Sequence, residues 1–157
     1  MGTKKNNKGI IDISLASEKQ QIRIDGDDNR IIEIDTADIT VLKRLQDIYP
    51  RLNDLGIKGF EINDDSDTLT EEALNAVTTA LDAIDKEMRE LIDYIFDSKI
   101  SDICVPNGAM YNMKNGEFMF ERILDALFKL YADEIQKEFG LMSDRMKQRT
   151  GKYTGNK

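Results

Sequence analysis

Carboxylates supply most of the groups in this sequence that could do chemistry: 30 Asp and Glu stand against 22 Lys and Arg, and there is no histidine. The missing imidazole removes the commonest general base, the usual zinc ligand and every Ser-His or Cys-His nucleophile pair at once. The single thiol, Cys104, lies between Ile103 and Val105, a setting for a small buried apolar side chain rather than for a reactive thiolate. Two acidic runs invite a calcium loop. In the first, Asp25, Asp27 and Asn29 take positions one, three and five, but Arg30 replaces the glycine of position six and Thr36 the glutamate of position twelve. The second, opening at Asp65, puts Leu69 at position five. Lys152 lacks the glycine spacing of a phosphate loop. Carboxylate pairs of the kind used in glycoside chemistry are numerous, and nothing in the sequence places one in a cleft. With no Trp, five Tyr and six Phe, a stacking platform for sugars or bases is poorly supplied. These residues imply a protein that is not an enzyme and holds no metal or cofactor.

Charge narrows the partners. Residues 1–8 carry +3 and residues 141–157 carry +4, which leaves –15 on residues 9–140 within a net charge of –8. Such a body repels a phosphate backbone, so nucleic acid is not expected as a partner. One cysteine permits no internal disulfide and fits a reducing cytosol. Residues 9–21 supply no signal-peptide core, and no run approaches the roughly 20 apolar residues of a membrane span.

The elements that must position any site follow from periodicity. Ile22 and Ile24 alternate with Arg23 and Asp25, and Ile32 and Ile34 flank Glu33, which reads as a β-hairpin over residues 21–35. A three-residue loop of Asp27, Asp28 and Asn29 would set Ile24 opposite Ile32 and Ile22 opposite Ile34. Ile11, Ile13 and Leu15 alternate with Asp12 and Ser14, so residues 10–15 are expected to add a third strand, since a lone hairpin is marginal in water. The period then lengthens to about 3.6. Ile39, Leu42, Leu45, Tyr49, Leu52 and Leu55 form one stripe, with Asp35, Thr36 or Asp38 as cap, Gly56 as stop and Pro50 as a kink or break.

Residues 56–67, with Asp64, Asp65 and Asp67, read as a solvated loop. Thr68 and Glu71 match a capping box for the longest helix, whose seam is Leu74, Val77, Leu81, Ile84, Met88, Leu91 and Ile95. Pro106, Gly108 and Asn115-Gly116 mark residues 97–116 as a turn region with at most a short helix. A last helix over 118–139 turns Phe120, Ile123, Leu124, Leu127, Phe128, Tyr131 and Ile135 inward and stops at Gly140. The expected fold is α+β and mostly α: a small N-terminal antiparallel sheet followed by three or four helices. It occupies one domain, 1–140, with a β-rich part at 9–35 and a helical part at 38–140, followed by a basic, flexible tail at 141–157.

Without reactive groups, adaptable apolar surface is what remains for function. Methionine fills irregular gaps and suits a surface that accepts several similar partners. Met110 and Met113 stand near the loop before the last helix, Met142 and Met146 follow that helix, and Ile92, Tyr94 and Phe96 lie off the long seam. These seven are the candidate partner-binding residues. Phe118 and Phe120, by contrast, suit ordinary core.

Four segments in order, IRIDGDDNRIIEID (22–35), TVLKRLQDIYPRLNDL (40–55), KEMRELIDYIFDSKISDIC (86–104) and NGEFMFERILDALFKLYADEI (115–135), resemble the tail assembly chaperones of siphophages and prophages of Gram-positive bacteria. The resemblance covers the chain from about residue 20 to KYTGNK at its end. It implies a small acidic helical protein of the host cytoplasm that binds the long, hydrophobic tape measure protein, keeps it soluble and is missing from the mature virion. It further implies a tail tube contact through a longer frameshifted form, and it leaves a homo-oligomer open. It supplies no catalytic or binding residue to carry over. The alternative is a structural tail component, such as a tube or completion protein, to which the N-terminal strands would be suited.

Overall fold

A computed structural model describes residues 9–55 and 70–153. The chain opens with β1 (Gln20–Ile24) and β2 (Asp27–Ile34), continues through α1 (Val41–Leu55), α2 (Glu71–Ile95) and α3 (Ser101–Cys104), forms the small β3 (Met113–Lys114) and β4 (Glu117–Phe118), and ends in α4 (Met119–Tyr153). This is the expected α+β, mostly α architecture. The acidic cluster at Asp64, Asp65 and Asp67, the Gly56 stop and the Thr68 cap lie outside the described residues.

The β1–β2 hairpin has a different turn from the one expected. Asp25 and Gly26 both adopt positive φ, 52° and 71°, the conformation of a two-residue primed turn whose twist matches the strands. Ile22 consequently faces Ile32 and Gln20 faces Ile34, and the pairing shifts at a bulge between Arg23 and Ile24. The register differs from the expected one by two residues. An even slip keeps every side chain on its face, so all four isoleucines still join the core cluster, Ile32 and Ile34 fully buried. Residues 10–15 form no third strand: Ile11, Ile13 and Leu15 are exposed. The hairpin is instead covered by helices, with β2 packed against α3.

Helix α1 runs unbroken through Pro50. Its buried stripe is Val41, Ile48 and Leu55 with Leu45 and Leu52 between them, whereas Ile39, Leu42 and Tyr49 face outward. Asp35 and Asp38 each bond the backbone N–H two residues on, turning the chain into the helix. Burial opposes the charge on Asp38, but hydrogen bonds from Thr40 and Arg44 outweigh it and hold the carboxyl below its usual value. Helices α1 and α2 are antiparallel, since Arg44 Nε donates to the Ile95 carbonyl at 2.7 Å, Tyr94 meets Asp47, and Arg51 meets Glu87.

The cap of α2 is Thr70, whose Oγ1 accepts from the Ala73 N–H at 3.1 Å. Three side chains one turn apart on this helix, Asp85, Arg89 and Asp93, hold the following segment in place. Asp93 accepts from the Ile100 and Ser101 N–H groups and from the Ser101 hydroxyl. Arg89 donates to the Val105 and Gly108 carbonyls, and Asp85 accepts from the Met110 N–H at 2.7 Å. Asn115 and Gly116, at φ 54° and 81°, make a second primed turn between β3 and β4. Backbone bonds from Met119 to Asn112 and from Phe120 to Met110 then launch α4.

The core lies where α2 crosses α4. Phe96 sits with its ring centroid 5.6 Å from both Phe128 and Tyr131, inside a cluster that includes Met88, Leu91, Ile92, Ile95, Ile100 and Met110. Burial pushes the Cys104 thiol up to about 11 from 9.0 and the Tyr131 hydroxyl up to about 12 from 10.0. Both groups are protonated in the folded and the unfolded chain below about pH 8, so they leave stability unchanged there. Above it the unfolded chain loses these protons first, and stability falls as pH rises to the folded values. The urea midpoint is therefore expected to decline above pH 9, and a Cys104→Ala, Tyr131→Phe double variant to decline less steeply. Parallel slopes for the two proteins would refute this assignment.

Candidate interaction surface

Helix α4 contains 35 residues, about 50 Å of helix at 1.5 Å per residue. Its first half seals the core with Phe120, Leu127 and Tyr131. Its second half leaves the body, because the helix does not stop at Gly140. That glycine lacks the positive φ of a helix-terminating residue and lies within the helix. Glycine costs a helix interior about 1 kcal/mol relative to alanine, and the apolar pattern continues across it: Ile135, Phe139, Met142 and Met146 follow at steps of four, three and four. Phe139, Met142 and Met146 are 48%, 40% and 56% exposed. Arg145, Lys147 and Arg149 flank them on a helix whose C-terminal end favours cations.

Two recesses open along this stripe. One, of about 360 Å³, lies between α4 and the chain entering α1, lined by Ala37 and Ile39 on one side and by Ile135, Phe139 and Met142 on the other. The second lies further along and is lined by α4 alone, through Phe139, Met142, Met146 and Thr150, so it is an open face rather than a cavity. A separate apolar stripe projects from the start of α2. Leu74 and Val77 are exposed there, beside Glu71 and Glu72 of the first turn.

The seven candidate partner-binding residues separate into two groups. Ile92, Phe96 and Met110 are buried and serve the core, because α4 and the loop before β3 close over the second stripe of α2. Tyr94, Met113, Met142 and Met146 are exposed. Only Met142 and Met146 share a surface. Tyr94 is bonded through its hydroxyl to Asp47 at 3.1 Å, and Met113 sits on the β3–β4 hairpin. Phe139 and Ile39 belong to the surface although neither was a candidate. The repeat that links Phe139 to Met146 was available in the sequence, and reading Gly140 as a stop concealed it.

Among the described residues, no helix is long and apolar enough to cross a membrane, and no group of three or more metal-binding side chains converges. The buried Cys104 thiol is held in its protonated form by its surroundings, the opposite of an activated nucleophile. Comparison with known proteins finds no matching family, curated relative or solved structure.

Proposed function

We propose that this protein is a phage tail assembly chaperone that holds the tape measure protein in solution in the host cytoplasm until tail tube subunits replace it. The observation that carries the reading is the apolar face of α4, where Phe139, Met142 and Met146 stand exposed on a helix continuing beyond the core. Apolar contact is non-directional, and unbranched methionines adapt to successive segments of a long client. The acidic remainder of the chain supplies the repulsion that keeps such a complex dispersed. The resemblance of four sequence segments to this chaperone family supports the same reading.

Coexpression with the tape measure protein is expected to raise the soluble yield of the client, and the chain is expected to be missing from purified virions. A client that pellets equally with and without it would refute the proposal. Stoichiometric recovery from mature particles would instead favour a structural tail component.

A further inference from the structure

An exposed extended segment and an open sheet edge follow one another in the chain, and among the described residues neither is paired with a further strand. The segment is residues 10–15. Ile11, Ile13 and Leu15 are 88%, 74% and 82% exposed, although they alternate with Asp12 and Ser14 as one face of a strand does. The edge belongs to β1, which pairs with β2 on one side only. β1 holds no proline and no lysine to discourage further pairing, and the bulge of the hairpin places its extra residues in β2, which leaves the outer rim of β1 regular. An open edge of this kind is a template for a strand of another chain.

Between β1 and α4 the core is left partly open. Two recesses there, of about 560 and 540 Å³, share Ile22 and Leu130 and so form one trough. Ile24, Ile123 and Ala126 line the larger of them. Leu130 is 39% exposed, and Ile22, Ile24 and Ile123 are only half-buried. Charged side chains stand at both ends, Asp25 and Arg30 by the hairpin tip and Asp133, Glu134 and Lys137 by the start of β1. A hairpin of two strands is marginal in water, and a third strand beside β1 would both complete the sheet and cover these aliphatic side chains.

We propose that residues 10–15 of one copy of this chain pair antiparallel with β1 of a second copy, and reciprocally, in a strand-exchanged dimer. Folding back onto β1 of the same chain would need a turn within residues 16–19. Residues 10–19 contain none, so the extended linker carries the segment away from its own edge and delivers it to a neighbour, as in other exchanges of an identical element between protomers. Side chains select the register. Setting Ile13 against Ile22 puts Ile11 against Ile24 on the face toward Ile123, Ala126 and Leu130, and on the outer face it puts Asp12 against Arg23. A slip of two residues one way opposes Asp12 to Asp25, a pair of like charges, and a slip the other way leaves Ile24 opposite Gly9. Arg23 is mostly exposed and its present pair with Asp28 lies at the surface, where ion pairs are weak and exchangeable. The inference is independent of the tape measure reading, because it leaves Phe139, Met142 and Met146 uncovered.

The test is light scattering of the full chain after size-exclusion chromatography at micromolar concentration, which should give twice the mass of one chain. Ile11→Asp combined with Ile13→Asp should give a monomer with an unchanged circular dichroism spectrum, because both side chains are exposed in the single copy. Asp12→Cys combined with Arg23→Cys, in a Cys104→Ala background shown to be folded, should be converted by diamide into a disulfide-linked dimer. Directly opposed residues of antiparallel strands have Cα atoms about 4.5–5.5 Å apart, within the span of a disulfide. A monomeric parent chain, a dimer that survives the two aspartate substitutions, or a cysteine pair that fails to link two copies would each overturn the inference. So would a disulfide that closes within one chain, which would mean that the segment covers its own β1.

Discussion

Replacing Phe96 with alanine is expected to lower the free energy of unfolding by about 3–5 kcal/mol, the range for deleting a buried aromatic ring. Phe96 is 3% exposed and follows directly on α2 as its C-cap, with Phe128 and Tyr131 each 5.6 Å away between ring centroids. The cavity would open where α2 meets α4, and rigid helices on both sides could not collapse into it. Typical domains have only about 5–15 kcal/mol of net stability, so the variant should be near its unfolding threshold. Chemical denaturation monitored by circular dichroism measures the effect. A loss below about 1 kcal/mol would mean that Phe96 is a surface contact and that the packing described here is wrong.

The opposite outcome is expected on the outer half of α4. A triple change of Phe139, Met142 and Met146 to glutamine removes the apolar face while keeping an unbranched, helix-compatible side chain at the two methionine positions. All three side chains are exposed and bury little core area, so each change should leave stability within about 0.5 kcal/mol. On the proposed function, recovery of soluble tape measure protein on coexpression should nevertheless fall to the level seen without this protein. The separation matters because a few apolar anchors commonly carry most of the free energy of an interface. Undiminished recovery by the folded triple variant would remove this face from the mechanism.

These two expectations divide residues that look alike in the sequence. Phe96, Met110, Met142 and Met146 are all large apolar residues. The first two are sealed by α4 and by the segment that Asp85, Arg89 and Asp93 hold against α2. The last two lie on the outer half of α4, where Met142 borders an open recess facing Ala37 and Ile39 and Met146 borders a face formed by α4 alone. Their different roles therefore follow from neighbours distant in the chain and not from residue type.

Local chemistry, then, was legible directly. Alternating isoleucines specified a hairpin, the 3.6-residue repeat specified the helices, and the absence of histidine with incomplete calcium loops pointed away from the commonest catalytic and metal-binding arrangements. Each of these depends on residues within a few positions of one another, where steric and hydrogen-bonding preferences act without the rest of the molecule. The choice between neighbouring stripes was not local: α1 offers Leu42 and Tyr49 at the same spacing as Val41 and Ile48, and only the position of α2 decides that the latter pair is buried. The same holds for the hairpin, where turn geometry at Asp25 and Gly26 shifted the register, and for Gly140, which the flanking helix carried past a local stop signal.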